Sequence, residues 1–169
     1  RWEIKQAQKK GLTTFECRDN TGVNYLHDSL HRRYEEQRLN LNDRKDYLLD
    51  LFKAFSPSAL KVYLAMRGDK IVNATMYTLY RDTITGLIGG ARNMSHDLEA
   101  SHYLDWEVIT HAIRNGYKWY EEFGANTRHL CNSKSKYNPK PVLYYQMRKS
   151  GLLGAWAEKG YRLMKRKII

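Results

Sequence analysis

The sequence predicts an α/β (α+β) fold: a mixed, mostly antiparallel central sheet flanked by helices. Three observations carry this. From Leu60 to Ile88 the chain reads as three strands joined by tight turns. Leu104, Val108, Ile109, Ala112 and Ile113 then recur at helical spacing. The whole chain alternates helix and strand signals without a repeat or an internal linker, so one layered domain over residues 1–169 accounts for it. Its parts read as a basic lead-in helix (1–11), a core (12–148) and a basic closing helix (149–169).

Taken in order, Trp2–Lys10 is helix-prone and basic, and Gly11 ends it. Leu12–Cys17 is a short strand. Asn20 or Thr21 caps a helix that puts Val23, Leu26, Leu30 and Tyr34 on one face. His27 and His31 on its other side have a spacing that metal sites use. With no third ligand near, they read as a solvated face. Asn40–Asn42 is a loop, and Asp43 caps a second helix with Tyr47, Leu48, Leu51, Phe52 and Phe55 inward; Ser56-Pro57-Ser58 breaks it.

Leu60–Arg67 alternates as a strand with one core face does. Gly68-Asp69 signals a hairpin, Ile71–Tyr80 returns, Arg81-Asp82 turns, and Thr83–Ile88 is the third strand. It runs into Gly89-Gly90. Paired glycines leave backbone N–H groups uncovered, so a substrate backbone or acyl arm can lie there; a bulge where the sheet bends is the other reading. Ser95 or Asp97 caps the long helix, Ser101, Asp105, Thr110 and Arg114 fall on its other faces, and Asn115-Gly116 stops it. Tyr117–Tyr120 is a strand, parallel to the third if the crossover is right-handed. Asn126 or Thr127 caps a short helix to about Lys134, Ser133–Pro139 is basic, Val142–Met147 is a last strand, and Leu152–Lys165 closes the chain as a helix.

Composition narrows the function. A formal net charge of +11 favours phosphate-rich partners: nucleotides, tRNA or anionic lipid headgroups. Cys17 and Cys131 make neither a disulfide scaffold nor a zinc site, and point to a reducing interior. No apolar run approaches the roughly 20 residues that span a bilayer. The chain starts at an arginine inside a helix-like run, which reads as a fragment of a larger protein. Walker, dinucleotide-binding, HExxH and CxxC motifs are absent. Tyr77, Tyr80, Tyr144 and Tyr145, on expected strands, either line a groove or pack.

The element order resembles the GNAT acyltransferase fold, and residues 60–148 resemble its Fem-type branch: the peptidoglycan interpeptide-bridge aminoacyltransferases and related acetyltransferase-like envelope proteins. The residues that carry this are Tyr103-Leu104-Asp105-Trp106-Glu107-Val108-Ile109, Ala112-Ile113-Arg114-Asn115-Gly116-Tyr117, Phe123-Gly124, Asn126, Lys134-Ser135-Lys136-Tyr137-Asn138 and Pro141–Tyr145, in that order. Arg1–Leu12 resembles the basic segment that precedes the domain.

The resemblance implies amide formation between an amine and an activated acyl group. It implies aminoacyl-tRNA as donor and a nucleotide- or lipid-linked envelope precursor as acceptor, with no further cofactor and no metal. It implies a cytoplasmic enzyme, at the inner membrane face if the closing helix rests there. Lys134 matches the catalytic lysine of the family's Phe-Lys-x-x-Phe-Gly pattern. Tyr137 stands for its second phenylalanine, while Ser133 and Asn138 depart from it. Gly89, Gly90, Arg128, Lys136 and Tyr137 are the implied substrate-binding residues. Asp105, Glu107 and Glu121 are proton acceptors by type only.

Two other functions stand beside this: an acetyl-CoA-dependent N-acetyltransferase of the same fold, and a non-catalytic module binding tRNA or another polyanion. Enzymes of the acetyl-CoA kind carry a glycine-rich loop whose amides hold the pyrophosphate. Here Met94–Ser101 has no glycine and contains Asp97 and Glu99.

Overall fold

A computed structural model describes residues 2–39, 44–89, 98–124 and 128–145, with Gly151, Gly154 and Trp156. The chain divides into two compact units, Arg1–Gly124 and Ala125–Ile169.

The first unit holds one five-stranded sheet among the described residues. Its strands are β1 (Leu12–Cys17), β2 (Leu60–Arg67), β3 (Lys70–Tyr80), β4 (Thr83–Gly89) and β5 (Trp119–Glu122), side by side in chain order. The first three pairings are antiparallel and β4–β5 is parallel, so the sheet is mixed, as expected. Strand alternation splits the core in two. Leu60, Val62, Leu64, Ala74 and Met76 pack with α2 (Asn20–Glu36) and α3 (Lys45–Phe55). Tyr63, Ala65, Tyr77, Leu79 and Ile84 pack with α1 (Trp2–Lys9) and α4 (Leu98–Arg114). The parallel β4–α4–β5 crossover needs both faces covered near its root, and the two clusters supply that.

Several local expectations change. Asp19, not Asn20 or Thr21, caps α2: its carboxylate accepts the Thr21 N–H at 2.9 Å. Tyr47 and Phe55 of α3 point outward, leaving Leu48 and Phe52 as its buried residues. On α4, Ile113 is exposed, whereas Ser101 and Asp105 meet polar groups on the sheet. The helix ends as expected at Gly116, whose φ of +76° lets Tyr117 N–H reach the Ala112 carbonyl. That bond spends Tyr117 on the helix end. Lys118 and Trp119 then donate to the Asp82 carbonyl, so β5 starts at Trp119 rather than Tyr117.

The second unit holds α5 (Arg128–Ser135). Residues 142–145 do not form the expected strand: Val142, Leu143, Tyr144 and Tyr145 are exposed and irregular. Their unit has no other strand among its described residues, so no ladder is there to join. Trp156, expected on an apolar face, is 73% exposed. The expected caps Asp43, Ser95, Asp97, Asn126 and Thr127, and most of the closing helix, lie outside the described residues. Among the described residues no helix is long and apolar enough to cross a membrane.

Candidate active site at the parting of two parallel strands

β4 and β5 run together for four residues, from Thr83 opposite Trp119 to Gly86 opposite Glu122. There β5 stops. β4 continues through Leu87, Ile88 and Gly89, held on its other side by β3 (Met76 opposite Ile88, Thr75 opposite Gly89). The register steps between Met76 and Tyr77, which leaves Leu87 as the extra residue of a bulge. The expected bulge thus sits two residues before Gly89. Beyond it, the edge of β4 that faced β5 has no strand partner among the described residues. Its amide and carbonyl groups can pair with an extended ligand. Ligands of α/β folds gather at this carboxyl end of parallel strands.

Gly89 is exposed, and no described residue lies within 4 Å of the place a Cβ would take on it. Among the described residues, space for a ligand is therefore open in front of the backbone. Gly90 lies outside the described residues.

Beneath the parting lies a polar seam between sheet and α4. On β3, alternate residues Asn73, Thr75 and Tyr77 face the helix, because the bulge at Val72 returns the strand to that phase. Asn73 Nδ2 donates to Ser101 Oγ at 2.8 Å. The Tyr77 hydroxyl, on a fully buried ring, donates to Asp105 Oδ1 at 3.2 Å. The Tyr120 hydroxyl of β5 donates to Glu122 Oε1 at 2.8 Å. The two tyrosine rings lie 6.2 Å apart. Burial raises the pKa of both phenols, the Asp105 charge pushes Tyr77 further, and the Asp105 and Glu122 charges push Tyr120 further. Both therefore stay protonated, as fixed donors to two carboxylates. Glu122 is half-buried at the end of β5, where the strands part.

Of the acidic residues named by type, Asp105 belongs to this seam. Glu121 is exposed, and Glu107 is half-buried beside Tyr103. For Asn73 and Tyr120 the sequence signal is only their place on strands, and Glu122 lies beyond the expected strand end at Tyr120, in what reads as the start of a polar loop. Lys134 lies half-buried in the last turn of α5, its carbonyl accepting the Tyr137 N–H at 3.0 Å. Arg128 opens the same helix and Lys136 follows it, both exposed. Helical geometry sets Arg128 and Lys134 roughly 120° apart around the axis. These four belong to the second unit and Gly89 to the first. His27 and His31, with rings 6.0 Å apart, sit against Asp28 and Glu35 of their own helix.

A family model described as Acetyltransferase (GNAT) domain matches residues 1–129. The chain belongs to the GNAT acetyltransferase family. It is thus an acyltransferase, and the parallel β4–β5 pair with its open edge is part of a GNAT domain. No curated protein matches the sequence. Among solved structures, one similar in fold is the aminoglycoside acetyltransferase meta-AAC0020 from an uncultured soil metagenomic sample, in complex with sisomicin. It is 12% identical, with a TM-score of 0.63 over 85% of this chain and 99% of the other. A predicted acetyltransferase from Clostridium acetobutylicum with acetyl-CoA is 9% identical, with a TM-score of 0.64 over 82% and 96%. Aminoglycoside N-acetyltransferase AAC(6')-Iy in complex with CoA is 8% identical, with a TM-score of 0.60 over 82% and 95%. At such identities the likeness concerns the fold.

Proposed function

We propose that this protein is an N-acetyltransferase that moves an acetyl group from acetyl-CoA to an amine. The observation that carries it is the open edge of β4 beside Glu122 in a GNAT domain. Two structural neighbours were solved with acetyl-CoA or CoA, which supports that donor. The donor's arm contains amides, and the free edge at Leu87–Gly89 offers the matching backbone groups.

In this reaction the amine nitrogen attacks the thioester carbonyl. The C–N bond forms, the C–S bond breaks, the amine's proton goes to Glu122, and the thiolate leaves to be protonated by solvent. Backbone N–H groups near Gly89 stabilise the charge that develops on the carbonyl oxygen. Gly90 is assigned to the same stretch from the sequence. For Lys134 at the oxyanion or a terminal phosphate, Arg128 and Lys136 at phosphates, and Tyr137 at the substrate, the support is the family resemblance alone. Two cysteines, too few for a disulfide scaffold, suit a cytoplasmic setting.

One sequence feature favours a second reading, Fem-type transfer from aminoacyl-tRNA to an envelope precursor. Residues 94–101 lack the glycines of a pyrophosphate loop and carry Asp97 and Glu99. A titration of acetyl-CoA and charged tRNA side by side, at fixed moderate salt, separates the two. Saturable acetyl-CoA binding with transfer to an amine supports the first. Saturable tRNA binding without acetyl-CoA binding overturns it in favour of the second.

A further inference from the structure

A cavity of about 470 Å³ opens between the start of α2 and the last turns of α3, and shares no residue with the parted strands. We propose that it binds a zwitterion with an apolar side group, an amino acid of the phenylalanine or leucine kind. Its volume lies within the roughly 300–1,000 Å³ of small-molecule sites.

Phe52, 4% exposed, and half-buried Leu49 give it an apolar floor, and Pro57 forms one wall. Three charged groups surround that floor: Arg18, Lys53 and Asp50. Lys53 and Asp50 stand three apart on α3, where helical neighbours commonly pair, yet neither makes an ion pair among the described residues. Arg18 touches Glu16 only at 4.0 Å, and its side chain is 83% exposed. Two cations and one carboxylate around an apolar surface match a ligand with both charges. A bare anion would meet Asp50, and a bare cation would meet Arg18 and Lys53. The carboxylate of the ligand fits the two cations, its ammonium fits Asp50, and its side group covers Phe52 and Leu49. Asn20 and Ser56 on the rim can complete the hydrogen bonds.

The test is a titration of the isotope-labelled full chain, followed through the backbone amides that line the cavity. The probes are L-phenylalanine, L-leucine, 3-phenylpropionate and phenethylamine. L-Phenylalanine is expected to shift those amides saturably, and each one-charge analogue to bind about tenfold more weakly or worse. Arg18→Ala with Lys53→Met is expected to weaken L-phenylalanine by at least about tenfold. Both side chains are exposed, so the remaining amides should keep their positions. The site is overturned if neither L-phenylalanine nor L-leucine gives saturable shifts, if the double variant binds equally well, or if phenylpropionate binds as tightly as phenylalanine. None of these outcomes touches the acetyl-transfer reading.

Discussion

At Glu122 two constraints meet. The residue ends β5 where β4 goes on alone, and the Tyr120 hydroxyl holds one of its oxygens at 2.8 Å. Glu122→Gln is therefore expected to lower kcat by roughly 10²–10⁴-fold while leaving acetyl-CoA affinity near its original value. Steady-state kinetics beside calorimetry would show this, and an unchanged kcat would remove Glu122 from the reaction. Gly89→Val should act differently. The side chain would meet no described residue, so the fold should hold while the KM for the donor rises. His111 gives a pH prediction. Burial, then Lys61 and Arg114, lower its pKa, partly opposed by Glu16. The unfolded chain takes up this proton at about 6.5, before the folded chain does. Stability should thus be lost as pH falls from about 6.5 toward the lowered folded value, and His111→Gln should flatten that slope in urea midpoints. These residues were only partly legible in the sequence. Helical spacing puts Asp105 off the apolar stripe of α4. It turns inward because Tyr77, buried on β3, needs an acceptor.

At the scale of elements, close approach explains what composition does not. α2 crosses the sheet at Gly22, where an added Cβ would stand 2.8 Å from Val62 Cγ1 and 3.1 Å from Cys17 Sγ. Gly22→Ala should force the helix outward and cost about 1–3 kcal/mol, measurable as a lower denaturation midpoint with the fold retained. β1 to β4, α1 and α4 were readable because strand alternation, glycine turns and a long apolar stripe each signal locally. β5 was displaced by two residues because the helix-end bond to Tyr117 is a tertiary choice with no local signal. Val142–Tyr145 has strand composition, yet composition cannot supply a partner strand.

At the scale of the molecule, the mixed sheet and the GNAT family were within reach of the sequence, whereas the choice of donor was not. The charge of +11 agrees with any phosphate-bearing donor, whether acetyl-CoA or tRNA. What separates them is where the donor lies. Hydrogen exchange at the amides of Leu87, Ile88 and Gly89, with and without saturating acetyl-CoA, measures that directly. The expected result is slowed exchange at these amides, reduced in Gly89→Val. Unchanged exchange there, in a protein that transfers acetyl groups, would contradict the placement of the donor at the parted strands.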